Sequence, residues 1–187
     1  MWEAFLKLLA ALFAPGSGVS PPPPPARPQP TPPSVGDDTM IHLLEEHNSF
    51  RRNNGVQPLT LNERLNQAAK KHAWWMAVNR NMSHNQTPGT QGFTGRTFVD
   101  RLKAEGYTPR MGGENAAAGQ RTPYQVMDAW MNSPGHRANI LNDAYWNVGF
   151  GVAEDKYGHL YWCAVFATPM PRTVVRIVVS LPPALVN

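Results

Sequence analysis

Cysteine is almost absent. Cys163 is the single thiol in 187 residues, so no intrachain disulfide can form, and the fold must rest on its core and its hydrogen bonds. A chain of this kind suits the cytosol and bacterial export equally. A long hydrophobic run is also absent. The apolar stretch from Ala4 to Ala14 is interrupted by Lys7 and is shorter than the ~20 residues that span a bilayer as a helix. A secretory leader can be that short, but Glu3 stands where a basic residue is expected, and the small-residue stretch Ala14-Pro15-Gly16-Ser17 contains a proline. A signal-like leader and a membrane-associated helix over residues 2–14 therefore both stay open.

No concentration of one charge is present either. Lys and Arg number 17 against 13 Asp and Glu, and the basic residues are scattered as Arg51-Arg52, Lys70-Lys71 and Arg101-Lys103. A net charge of +4 permits weak attraction to anionic polymers or headgroups, but no motif for sequence-specific nucleic-acid binding accompanies it. Local catalytic motifs are missing too: there is no H-E-x-x-H, no G-x-S-x-G, no Walker loop and no paired cysteine motif. Any site must be assembled from distant segments.

What the chain does have is enough apolar material for one core, with 42% hydrophobic residues and six Trp. One domain that folds as a monomer is the expectation. Residues 1–18 form the short hydrophobic N-terminal segment. Residues 19–36 follow as a proline-rich linker, "VSPPPPPARPQPTPPSVG", which cannot close a core and predicts a stiff, extended spacer. The folded domain is placed at 37–169, and 170–187 is a tail whose β-branched "TVVRIVVSL" could add an edge strand.

Within the domain, Asp38 or Thr39 is expected to cap a helix that ends near Asn53-Asn54-Gly55. Apolar spacing predicts a second helix over about 62–79 and a third over about 97–105 before Gly106. Thr122-Pro123 and Ser133-Pro134 each carry the cap-then-proline signal of a helix start, the second placing His136 in a first turn. "WNVGFGVAEDKYGHLYWCAVFAT" then alternates as a β-hairpin around Asp155-Lys156-Tyr157-Gly158. Helices followed by a terminal hairpin argue an α+β fold.

Among the six histidines, His42, His47 and His72 lie inside helices, where a lone imidazole is ordinarily a surface or partly buried residue. His159 beside the hairpin turn reads as a surface residue as well. His84 in "NMSHNQ" and His136 in "NSPGHRAN" stand apart, because each sits at a helix-to-loop boundary in polar surroundings, where site residues are preferentially displayed. Glu114 in "MGGENAAAG" is flanked by glycines that permit close backbone approach, so its carboxylate could be pressed into a cleft; alternatively it caps a helical turn over Ala116 to Ala118. Two imidazoles and a carboxylate would suit either a divalent metal such as zinc or acid–base work on a water.

Taken together, the ordered segments "LLEEHNSFRRNNGVQPL", "LNQAAKKHAWWMA", "MSHNQ", "GENAAAG", "AWMNSPGHRANILN" and "NVGFGVAEDKYGHLYWCAVFA" closely resemble the CAP superfamily (cysteine-rich secretory proteins, antigen 5 and pathogenesis-related 1) in its cysteine-poor bacterial form, over about residues 38–168. The resemblance implies an α-β-α sandwich, with a small, mostly antiparallel sheet between helical layers and a cleft lined by two histidines and two acids that sometimes hold zinc or another divalent cation. Carried over by motif, these are His84, Glu114 and His136. The fourth position, an acid in the eukaryotic branches, is Ser133 here. His84 and His136 are thus the metal candidates, with Glu114 nearby, and the loss of one carboxylate predicts weaker metal affinity and no required cofactor. Trp130, Ile140, Leu141, Val148 and Phe150 are expected in the core beneath the cleft, while Asn48, Asn115 and Asn139 are expected to tie loops to backbone.

Three functions follow as expectations. The first is an extracytoplasmic binding module, secreted or envelope-associated, for a small-molecule, lipid, peptide or cell-envelope ligand. The second is a metal-assisted hydrolase or peptidase in which Glu114 activates water. The third is an accessory to phage lysis or cell-wall remodelling.

Overall fold

The computed structural model describes residues 37–171. The N-terminal hydrophobic segment, the proline-rich linker and the edge strand expected in the tail all fall outside those residues. The chain forms α1 (Asp37–Asn53), β1 (Thr60–Leu61), α2 (Glu63–Asn79), α3 (Phe98–Ala104), β2 (Pro109–Ala118), α4 (Pro123–Met131), α5 (Pro134–Ile140), β3 (Asn147–Glu154) and β4 (Leu160–Pro169).

Helix starts follow local chemistry. The Asn62 side chain accepts the N–H groups of Arg64 and Leu65 ahead of α2, and Thr97 and Asp100 close a reciprocal capping box ahead of α3. Thr122 accepts the Gln125 N–H with Pro123 at the first helical position of α4. Two details differ from expectation. The first helix begins at Asp37, ahead of the caps expected at Asp38 or Thr39, and Ser133 starts α5 without a capping hydrogen bond from its side chain.

The four strands lie in the order β1-β3-β4-β2. The β3–β4 hairpin and the β2–β4 pair are antiparallel, and β1 runs parallel to β3. The hairpin closes on Asp155, whose Oδ1 accepts the N–H groups of Tyr157 and His159, while Gly158 supplies the left-handed residue at φ +86°. One face of the sheet carries Val148, Phe150, Val152, Trp162, Ala164 and Phe166 against Met40 and Leu43 of α1, Met127 and Trp130 of α4 and Ile140 of α5. The other carries Ala153, Tyr161, Cys163, Val165 and Ala167 against Leu65, Ala69, Ala73 and Met76 of α2 and Leu102 of α3. Both strand faces are buried, which is why the hairpin sequence is nearly continuous in apolar residues. The result is the expected α-β-α sandwich. Trp75, Trp130 and Trp162 are fully buried, so three of the six tryptophans fill the interior.

α2 lies on β3 with no side chain between them at two points. A Cβ on Gly149 would stand 2.1 Å from the Leu65 carbonyl carbon, and one on Gly151 2.3 Å from the backbone of Ala69. Between them the Phe150 N–H donates to Asn66 Oδ1 at 3.0 Å. On the opposite layer, buried Arg51 donates to four carbonyls: Gln57 (2.6 Å), Ile140 (2.8 Å), Asn142 (2.8 Å) and Tyr145 (3.2 Å). This one side chain fixes the end of α5 and the approach to β3.

β1 and β2 were not anticipated. The alternative helical turn over Ala116 to Ala118 is overturned, because those residues end β2, paired with Cys163, Trp162 and Tyr161 of β4. Glycine and alanine carry almost no strand propensity of their own. They are present because helices press on both faces: a Cβ on Gly113 would stand 2.7 Å from Asn139 Oδ1, and one on Gly112 2.9 Å from the Phe98 ring. β2 ends the sheet, and its Glu114 and Ala116 carbonyls accept the side-chain N–H groups of Asn139 and Trp130. α4 and α5 thus cover an edge that would otherwise be free to pair with another chain.

Candidate functional site

Strand alternation sends consecutive residues of β2 to opposite layers. Glu114 points to the α2/α3 side, where it is 6% exposed, and Asn115 points to the α5 side, fully buried.

The Glu114 carboxylate is bound on both oxygens. Its Oε1 accepts from His84 Nδ1 at 3.0 Å, and its Oε2 from Arg101 Nη2 at 2.5 Å, with the Cys163 thiol 3.6 Å from Oε2. Arg101 is 1% exposed and also donates to the carbonyls of His84 (3.2 Å), Arg96 (3.1 Å) and Gly95 (3.4 Å). His84 is therefore held twice, its carbonyl by Arg101 and its ring by Glu114. Its side chain remains 55% exposed, and Nε2 faces away from the carboxylate.

His72 lies beneath, fully buried, with Nε2 2.9 Å from the Ser83 carbonyl and 3.6 Å from Glu114 Oε1. Its Nδ1 takes a hydrogen bond from the Gln86 amide at 3.2 Å, and Gln86 Oε1 in turn accepts the Thr94 N–H at 2.7 Å. That assigns His72 as the neutral Nε2–H tautomer and anchors the loop that carries His84. Burial, chiefly, lowers the His72 pKa to about 4.

Burial alone would raise the Glu114 carboxyl. The hydrogen bond from His84, then the electrostatic influence of His72 and Arg101 and the hydrogen bond from Arg101, outweigh it and hold the group below the usual carboxylate value. The same hydrogen bond, the largest influence on His84, raises the His84 pKa. The Cys163 thiol is pushed well up by burial and then by the Glu114 charge, so it stays protonated.

His136, half-buried in α5, is positioned from the other residue of the pair. Asn115 Nδ2 donates to its carbonyl at 3.1 Å, and Asn139 Nδ2 donates to Asn115 Oδ1 at 2.8 Å and to the Glu114 carbonyl at 3.2 Å. Asn48 brackets Leu59 in the loop before β1 with two hydrogen bonds, so all three asparagines bond backbone as expected, but Asn115 and Asn139 join α5 to β2 and not a loop. The His136 pKa is lowered by burial and then by the charge of His84. Ser133 itself is half-buried at the α5 start.

The structure thus brings His84 and the His136 carbonyl onto Glu114 and Asn115, adjacent residues in the middle of β2. Sequence reasoning missed Arg101 and His72, although the spacing carried a signal for both. Leu65, Ala68, His72 and Trp75 recur at three to four residues along one buried face of α2, and Arg101 follows the half-buried Phe98 by three. His47 likewise proves fully buried, packed on Trp130, Phe150 and Phe166, and is not a partly exposed helical residue.

The donors do not fit a metal centre with three protein ligands. Among the described residues no group of three His, Cys, Asp or Glu is arranged to hold an ion. His84 and His136 offer two imidazoles, but both Glu114 oxygens are engaged and a buried guanidinium stands on one of them.

A three-layer sandwich with paired histidines around a buried Gly-Glu-Asn strand defines a protein of the CAP type. The family model for CAP, the cysteine-rich secretory protein family, matches residues 44–166, and the chain belongs to that family. The Bacillus subtilis protein YkwD is 38% identical over 112 residues, which cover 60% of this chain and 41% of YkwD. An outer surface protein of Borrelia burgdorferi shares the fold at a TM-score of 0.63 and 20% identity, over 75% of this chain and all of that one. An extracellular SCP-domain protein of Bacillus anthracis does so at 0.58 and 24%, over 73% of this chain and 45% of that one.

Proposed function

We propose that the chain is an extracytoplasmic binding module that takes a lipid, peptide or other cell-envelope ligand at His84 and His136, without catalysis and without a resident metal. The observation that carries this reading is the state of Glu114. A general base needs a free lone pair near neutral basicity, whereas this carboxylate is bound on both oxygens and held below its usual pKa. Its role is to orient. What the site offers to a ligand is the free ring edge of His84 beside His136, with Ser133 at the adjoining helix start.

Extracytoplasmic placement is supported by the short apolar segment and proline-rich spacer ahead of the domain, and by structural relatives described as outer-surface and extracellular proteins. The expected result is a bound species in the native mass spectrum of the full chain, lost in His84→Ala and His136→Ala. Retention by both variants, or a bare wild-type protein, overturns the binding site. Cell fractionation of the full chain beside a version starting at Val19 tests placement, which a cytosolic full-length protein would refute. Casein or peptidoglycan digestion that disappears in Glu114→Gln would establish the hydrolase reading instead.

A further inference from the structure

We propose that Arg101 sets which charge the His84–His136 site favours: by holding Glu114 as an internal ion pair it weakens the site for divalent cations and leaves it to groups that meet two imidazoles. The proposal relies on the binding reading only for the location of the site.

Three observations point to it. The guanidinium is 1% exposed and its contact to Glu114 Oε2 is 2.5 Å, so the pair is desolvated and close. Its Nη1 and Nη2 also donate to the carbonyls of Gly95, Arg96 and His84, which fix it in place as the α3 helix packs. And the hydrogen bond from His84 Nδ1 to Glu114 Oε1 has the form in which a carboxylate backs a metal-binding imidazole. That form ordinarily strengthens a cation site, because the carboxylate's negative charge lies just behind the ligand. Here that charge is already cancelled inside the protein. A cation at His84 would meet a backing pair of net charge zero, with a positive guanidinium held at its far side. The Glu114–Arg101 pair is itself buried, so its charges are little screened by salt.

Zinc itself is the probe, titrated calorimetrically into the full chain at fixed pH, with cobalt absorbance as a second readout. Arg101→Gln leaves the Glu114 charge uncompensated behind His84 and is expected to tighten zinc binding at least tenfold. His84→Ala on that background should abolish the gain, which locates the ion. The paired variant Arg101→Gln with Glu114→Gln restores a neutral backing pair and should bind zinc within about threefold of wild type. An Arg101→Gln protein that gains less than tenfold overturns the proposal. So does a paired variant more than threefold weaker than wild type, because the carboxylate would then be contributing to cation binding despite Arg101. Where Arg101→Gln alone fails to fold, the charge-balanced pair decides the outcome. Failure of the binding module reading would appear separately, as a wild-type protein that carries no ligand in its native mass spectrum while the order of zinc affinities stands.

Discussion

Replacing Gly151 by alanine adds one methyl group at the closest sort of contact in the molecule, where α2 rests on β3. The new Cβ would stand 2.3 Å from the carbonyl carbon and oxygen of Ala69 and 2.4 Å from the Lys70 nitrogen. Ordinary contacts of this kind begin near 3.4 Å, so about 1 Å of relief is required. None of the three obstructing atoms belongs to a side chain that could rotate away. The helix must lift from the sheet as a body. Overpacking a core typically costs about 1–3 kcal/mol, and a purely backbone obstruction belongs at the upper end. Lifting α2 also stretches the hydrogen bond from the Phe150 N–H to Asn66, adding about 1 kcal/mol. A total of about 4 kcal/mol corresponds to a Tm lowered by roughly 10–15 °C in a domain of this size. Thermal unfolding followed by circular dichroism measures it directly. A Gly151→Ala protein melting within about 2 °C of wild type would refute the reasoning, because α2 and β3 could not then be in backbone contact.

Arg51→Leu leaves four interior carbonyls without their donor, and should destabilise by about 3–5 kcal/mol in urea unfolding, with no change in the slope of the transition. His47 and His72 are both lowered to about 4 against 6.5 for a free imidazole. Below pH 6.5 the unfolded chain therefore binds protons that the native state refuses, and stability should fall from pH 6.5 toward pH 4 by up to about 3 kcal/mol for each. His84, raised by its partner, works the other way: its contribution is present below pH 6.5 and fades as pH rises through its folded value. His47→Leu should remove about half of the acid loss seen in urea titrations between pH 7 and pH 4.5, at little cost at pH 7, because His47 Nε2 has no partner in the core. Gly135→Ala, in α5 with nothing within 4 Å of the new methyl, should raise stability by about 0.5–1 kcal/mol, and a lower Tm would contradict the helical backbone at that position.

How much of this was legible in the sequence varies with how local the cause is. Caps such as Thr97 and Thr122 and the turn at Asp155 are settled within four residues, and the corresponding elements lie where they were expected. β2 was hidden because its Gly-Gly-Glu-Asn-Ala-Ala stretch has residues chosen by the two layers that press on it, and propensity carries no record of distant neighbours. The family motifs brought His84, Glu114 and His136 together. They gave no sign that Arg101, from a separate helix, would occupy the carboxylate, since an ion pair between residues 13 apart is decided by packing. The charge state of the site was thus the part that required three dimensions.

Glu114 and Asn115 share one further property. One secures the His84 ring from the α2/α3 layer and the other secures the His136 carbonyl from the α5 layer, so the two histidines are held by adjacent residues of a single strand. One residue added to β2 ahead of Glu114 would send each anchor to the wrong side of the sheet and dismantle both halves of the site together.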